Sequence, residues 1–139
     1  EELIKEILPY IEQNYSIKKN ASDRAIAGFS RGGYQTIQAG FLYPDMFNYL
    51  CLFAPSVNKQ YIEENFNNGK FSSPEKLKNN LKLLWLGCGT EDFLHQGVLD
   101  FSSKLDELEI PYEKMYTSGG HTWMNCRLYL NEIIQRLFK

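Results

Sequence analysis

The chain has 139 residues, 17 acidic and 15 basic, for a formal charge of −2. That leaves room for one domain and gives no electrostatic support for a nucleic-acid partner. With 43% hydrophobic residues it can bury a core, yet no apolar run approaches the roughly 20 residues needed to cross a bilayer. Small uncharged or neutral-polar substrates fit this balance best. Cys51, Cys88 and Cys126 are widely spaced and form no C-x-x-C pair, so no zinc or redox signature is present. They read as small buried hydrophobes.

Leu3, Ile4, Ile7, Leu8 and Ile11 recur at helical spacing and predict an amphipathic helix over Glu1 to Tyr15, which Pro9 kinks or divides. The chain opens directly in this helix, without an initiator Met or a visible signal peptide, and reads as a piece of something longer. After the polar connector Ser16 to Ser22, the run Arg24 to Phe29 reads as a buried strand. It leads into Gly28-Phe29-Ser30-Arg31-Gly32. From Arg31 the pattern turns helical, with Tyr34, Ile37, Gln38 and Phe41 on neighbouring turns, until Pro44 stops the helix near Tyr43. Strand, G-x-S-x-G, helix is the context of a nucleophile elbow. So tight a turn strains its serine, and a Cβ at Gly28 or Gly32 is expected to collide with the crossing backbone. The competing reading is a glycine-rich turn with an incidental serine.

Asn48 to Phe53 is a second buried strand, ended by Ala54-Pro55-Ser56. Val57 to Asn80 is polar and asparagine-rich, an irregular excursion with a short helix over Gln60 to Phe66, placed near the end of the second strand. Leu81 to Leu86 predicts a third strand, followed by Gly87-Cys88-Gly89-Thr90-Glu91-Asp92, and a helix from Gln96 to Leu108 precedes Pro111. Tyr112 to Tyr116 is a fourth strand ending in Ser118-Gly119-Gly120-His121. A last helix, Trp123 to Phe138, is amphipathic through Leu128, Leu130, Ile133, Ile134 and Leu137. Strands alternating with helices predict an α/β fold: right-handed βαβ units, a parallel sheet and flanking helices. Functional groups then gather at the carboxyl ends of the strands.

Ser30, Asp92 and His121 each follow a predicted strand. A serine hydroxyl needs a base to take its proton as it attacks, and a carboxylate must hold the imidazole tautomer. His121 suits the base because it follows its strand through Gly119-Gly120, and Asp92 suits the acid. The order serine, acid, histidine is that of α/β-hydrolases. Glu91 adjoins Asp92 but points elsewhere on the loop, and Asp100 reads as solvated on the next helix. His95 reads either as a pocket residue or as a surface helix N-terminus. This chemistry needs no metal and no cofactor.

GFSRGG, CGTEDF and GGHTW together resemble carbohydrate esterase family one, the feruloyl and acetyl-xylan esterases of the esterase D-like α/β-hydrolases. The resemblance runs over essentially the whole chain and implies Ser30 as nucleophile, Asp92 as acid and His121 as base. It implies the backbone N–H of Arg31 as one oxyanion donor, and Phe29 and Trp123 at the substrate. It departs from the family pattern at Arg31, where methionine is common, and at Cys126, where a second tryptophan is common. The Arg31 side chain could pair with a carboxylate or cap the site. Trp123 reads as an aromatic wall for a phenolic acyl group or as core packing.

A complete hydrolase of that kind has a longer sheet, of which this chain resembles only the second half. Residues 1–139 are therefore expected to be a single, partial α/β-hydrolase domain. Its elbow strand would lie on an exposed edge and its second oxyanion donor elsewhere, in the remaining N-terminal half or in another copy of the chain. The implied reaction is hydrolysis of a carbohydrate-linked ester, feruloyl or acetyl, and secretion is plausible by resemblance. Other esterase D-like acyl hydrolases acting on thioesters or siderophore esters, a prolyl oligopeptidase-like peptidase, and a remnant without catalysis are the competing readings.

Overall fold

The computed structural model describes residues 1–67, 69–71 and 74–139. Four strands, β1 (Ala25–Phe29), β2 (Tyr49–Phe53), β3 (Leu83–Gly89) and β4 (Glu113–Thr117), form one parallel sheet in the order β1-β2-β3-β4. Around it lie α1 (Leu8–Asn14), α2 (Arg31–Leu42), α3 (Lys59–Ile62), α4 (Pro74–Asn80), α5 (His95–Glu107) and α6 (Trp123–Ile134).

Period-two alternation along the central strands sends their side chains to two cores. Leu50, Leu52, Leu84, Leu86 and Cys88 meet Ile37 and Phe41 of α2 and Val98, Phe101 and Leu105 of α5 on one face. Tyr49, Cys51, Phe53, Leu83 and Trp85 meet Tyr129 and Ile133 of α6 on the other. With both faces covered, β2 and β3 are buried throughout, as parallel strands require. Gly40 lets α2 close on the sheet, since a Cβ there would lie 2.4 Å from Leu50 Cδ1.

Several predicted elements shift. β1, expected as a buried strand, is only half-buried because it pairs with β2 alone. β3 begins two residues later than its apolar run, because Lys82 and Leu83 both donate their N–H to Asn48 O. It continues through Gly87, Cys88 and Gly89, which pair with Met115, Tyr116 and Thr117 of β4. Those small residues look like a loop in isolation. A Cβ on Gly87, however, would stand 2.5 Å from Trp85 Cζ3. The first helix divides as Pro9 suggests: a wider π-type turn over Leu3–Ile7 precedes the regular α1, with the proline in its first turn. Arg24 ties this segment to the sheet through Glu12 and Met46 O. α6 stops at Ile134, short of Phe138.

The excursion is more ordered than its composition suggests. α3 runs into a π-type turn over Glu63–Asn67, and Pro74 starts α4 rather than breaking structure. Positions 68, 72 and 73 of the predicted excursion lie outside the described residues. Gln38 of α2 donates to Tyr61 Oη at 2.7 Å and to Asn65 Oδ1 at 3.4 Å, which anchors the excursion beside α2.

Candidate active site

Ser30 sits between β1 and α2 at φ 58°, ψ −116°, a conformation a non-glycine residue rarely adopts. Strain of this kind costs about 1–3 kcal/mol and persists only where its surroundings impose it. Here Ser30 N donates to Phe53 O at 2.9 Å, while Ser30 O accepts from Tyr34 N at 3.1 Å and Ser56 N at 3.0 Å. The end of β2 and the first turn of α2 thus grip the serine from both sides.

Glycine makes the turn possible, although not at both expected positions. A Cβ on Gly28 would lie 2.1 Å from the carbonyl carbon and oxygen of Gly32, so any larger residue is excluded. A Cβ on Gly32 itself meets nothing within 4 Å. The crossing is made by the backbone of Gly32, whose own Cβ direction opens into free space. The second indispensable glycine is Gly33, where a Cβ would be 2.8 Å from Pro55 Cα.

The first N–H groups of a helix have no partner within it, so Arg31 presents a free backbone donor beside Ser30. The Arg31 side chain is exposed and forms no ion pair among the described residues, so of the two roles open to it the pairing with a carboxylate is not seen.

Asp92 and His121 meet directly. Asp92 is 6% exposed, its Oδ1 accepts from Leu94 N at 2.9 Å, and its Oδ2 lies 2.8 Å from His121 Nδ1. An ionised carboxylate only accepts, so His121 donates from Nδ1 and keeps the lone pair on Nε2 for a proton. The buried negative charge registers on its neighbours. Burial first, and the Asp92 charge second, push the Cys88 thiol up to about 12, and Asp92 adds to the burial that raises Tyr129.

β1 and β4 are opposite edges, three strand spacings or about 14 Å apart. The segment after β4 therefore has to cross back over the sheet end to bring His121 to Ser30. It reaches the end of β1: the His121 ring stacks on Phe29, the residue before Ser30, centroids 4.4 Å apart and planes at 20°. No hydrogen bond joins Ser30 Oγ to His121 among the described residues; the His121 ring is held by Asp92 and Phe29.

Trp123 packs at a tilt on Phe29, centroids 5.1 Å apart, and is 77% exposed. It is not a core residue. Phe93, the last residue of CGTEDF and given no role there, is also 77% exposed, with its ring 4.8 Å from that of His121. Its one signal in the sequence is an apolar side chain in a polar turn directly after Asp92.

The other candidates fall away from this cluster. Glu91 is exposed and meets the histidine loop through its backbone, its N–H donating to Gly119 O at 3.1 Å. Asp100 accepts from Gln96 on α5. His95, rather than lying free at a surface helix end, is half-buried with its ring edge against Tyr116 at 5.2 Å. A groove of about 620 Å³ lies at the amino-terminal end of β1 among Leu3, Leu8, Ile26 and Phe138, away from Ser30. The Phe29, Phe93, His121 and Trp123 rings form instead an open aromatic surface.

Parallel sheet, strained serine elbow and a carboxylate–imidazole pair at later strand ends define the α/β-hydrolase class. The model of the Esterase family matches residues 1–137, and the chain belongs to that family. It is 28% identical over 140 residues to an endo-1,4-beta-xylanase/feruloyl esterase of Xylanibacter ruminicola, a match covering 99% of this chain and 17% of that protein. The CE1 ferulic acid esterase of Anaeromyces mucronatus in complex with ferulic acid superposes with a TM-score of 0.81 at 26% identity, over 99% of this chain and 53% of that one. S-formylglutathione hydrolase of Staphylococcus aureus shares the fold, with a TM-score of 0.77 at 24% identity over 98% of this chain and 59% of that one. The chain thus spans about half the length of these solved relatives.

Proposed function

We propose that this chain carries the catalytic residues of a serine carboxylic ester hydrolase acting on carbohydrate-linked esters, feruloyl or acetyl groups on xylan. The observation that carries the reading is the 2.8 Å contact of Asp92 with His121, whose ring stacks on the residue preceding a strained Ser30. Ser30 Oγ attacks the ester carbonyl while His121 Nε2 takes its proton, and Asp92 stabilises the imidazolium. The tetrahedral oxyanion is held by the Arg31 N–H. Collapse breaks the bond to the sugar oxygen, which leaves with the proton from His121. Water then resolves the acyl-enzyme by the same steps, returning the acid and free Ser30.

A flat phenolic acyl group is supported by the exposed rings of Trp123 and Phe93 on either side of the Phe29–His121 stack, and by relatives named for ferulic acid. One oxyanion donor is worth about 10²- to 10³-fold in rate. We assign the second donor, and the strand that pairs with the free edge of β1, to the rest of the polypeptide or to another copy of the chain. Replacing Ser30 with Ala in the natural polypeptide tests the reading against methyl ferulate and acetylated xylan. Turnover of either should fall to background, and undiminished turnover of both would reject the assignment.

A further inference from the structure

The histidine reaches the serine on a segment with little of its own to hold it. Ser118, Gly119 and Gly120 precede His121, and Gly119 is at φ 86°. Paired glycines have the largest backbone freedom to lose, so such a segment keeps one path only if its polar groups are tied down.

The carbonyl oxygens of Ser118, Gly119 and Gly120 all have partners, two of them from a single side chain. Asn125 Nδ2 donates to Ser118 O at 3.2 Å and to Gly120 O at 3.1 Å, while Glu91 N donates to Gly119 O at 3.1 Å. Asn125 can do this because it stands in the first turn of α6. Thr122 caps that turn by accepting from Asn125 N at 3.3 Å, and Cys126 N donates to Thr122 O at 3.1 Å. The fit is tight from below as well: a Cβ on Gly89, at the end of β3, would lie 2.1 Å from Gly119 O and 2.9 Å from Asn125 Nδ2.

We infer that Asn125 is a positioning residue for the catalytic base: its amide bridges the two carbonyls flanking Gly119 and so sets where the His121 imidazole stands over Ser30. This rests on the assignment of His121 as the base. Without the bridge, the ring is left to the contact with Asp92 and to the Phe29 and Phe93 rings, and the segment to the single Glu91 N–H on Gly119 O. The imidazole can then pivot about Asp92 away from Ser30. A misplacement on the order of 1 Å costs about 100-fold in a positioned reaction.

The test is a double-mutant cycle in the natural polypeptide, using p-nitrophenyl acetate so that residual rates stay measurable. Asn125→Ala and the isosteric Asn125→Asp, which has no amide donor, are each made with His121 intact and with His121→Ala. With His121 present, both should lower kcat by about 10- to 100-fold and leave KM within about two-fold. In the His121→Ala background they should change the residual rate by less than about two-fold, because residues acting through one another are not additive. An equal loss in both backgrounds, or no loss beside an intact His121, overturns the proposal. Asn125→Asp keeps the side-chain shape, so it still decides the matter if Asn125→Ala does not fold. An undiminished rate in His121→Ala alone would instead remove the parent assignment.

Discussion

The two halves of the candidate site share backbone hydrogen bonds but lean on close packing to different degrees. On the β1–α2 side, steric exclusion adds to the backbone hydrogen bonds of Ser30: Gly28 and Gly33 permit a crossing that any Cβ would block, and the strained backbone follows. On the β3–β4 side, Asp92 and His121 are placed by hydrogen bonds, from Leu94 N, Glu91 N and the Asn125 amide. A steric device is rigid and fails all at once. A hydrogen-bonded one fails by degrees and leaves the fold standing.

The largest effect should come from the hydrogen-bonded side, measured as activity. Asp92→Asn keeps the shape of the acid but can present a donor to His121 Nδ1, stabilising the wrong tautomer. A fall of about 10⁴-fold in kcat is expected, with the far-ultraviolet circular dichroism of the parent. A loss accompanied by unfolding would show that the acid mainly supports the fold, and would blur the contrast.

The steric side should respond in stability instead. Gly28→Ala places a methyl group 2.1 Å from the Gly32 carbonyl and should cost about 3 kcal/mol in denaturant unfolding, with activity lost. Gly32→Ala meets nothing within 4 Å and is favoured in a helix by about 1 kcal/mol, so it should leave stability equal or slightly higher. Equal destabilisation by the two substitutions would break the account of the elbow.

The same division explains what was legible in the sequence. Strand–turn–helix alternation and the strand-end positions of Ser30, Asp92 and His121 depend on local pattern, and the parallel sheet follows from them. Features made by crossing segments were hidden. Gly32 looked indispensable because it completes the motif, yet the obligatory neighbour is Gly33, whose reason is Pro55 from another strand end. Phe93 shows only as an apolar side chain in a polar turn, and Asn125 carries no signal of its own. One follows the acid and the other follows a helix cap, and each matters only because the segment after β4 returns over the sheet. α4 is hidden in a polar, asparagine-rich stretch whose composition suggests an irregular excursion, although Pro74 is at home in its first helical turn. β3 was cut short at Leu86 because Gly87 and Gly89 weaken a strand on their own. Pairing with β4 carries them.

The central claim is that Ser30 is the nucleophile, activated through His121. A fluorophosphonate probe, which forms a stable bond only with an activated serine, tests this most directly in the natural polypeptide. Peptide mass spectrometry should find the label on Ser30, absent in Ser30→Ala and strongly slowed in His121→Ala. A label on another residue, or labelling of Ser30 at an unchanged rate without His121, would contradict the account.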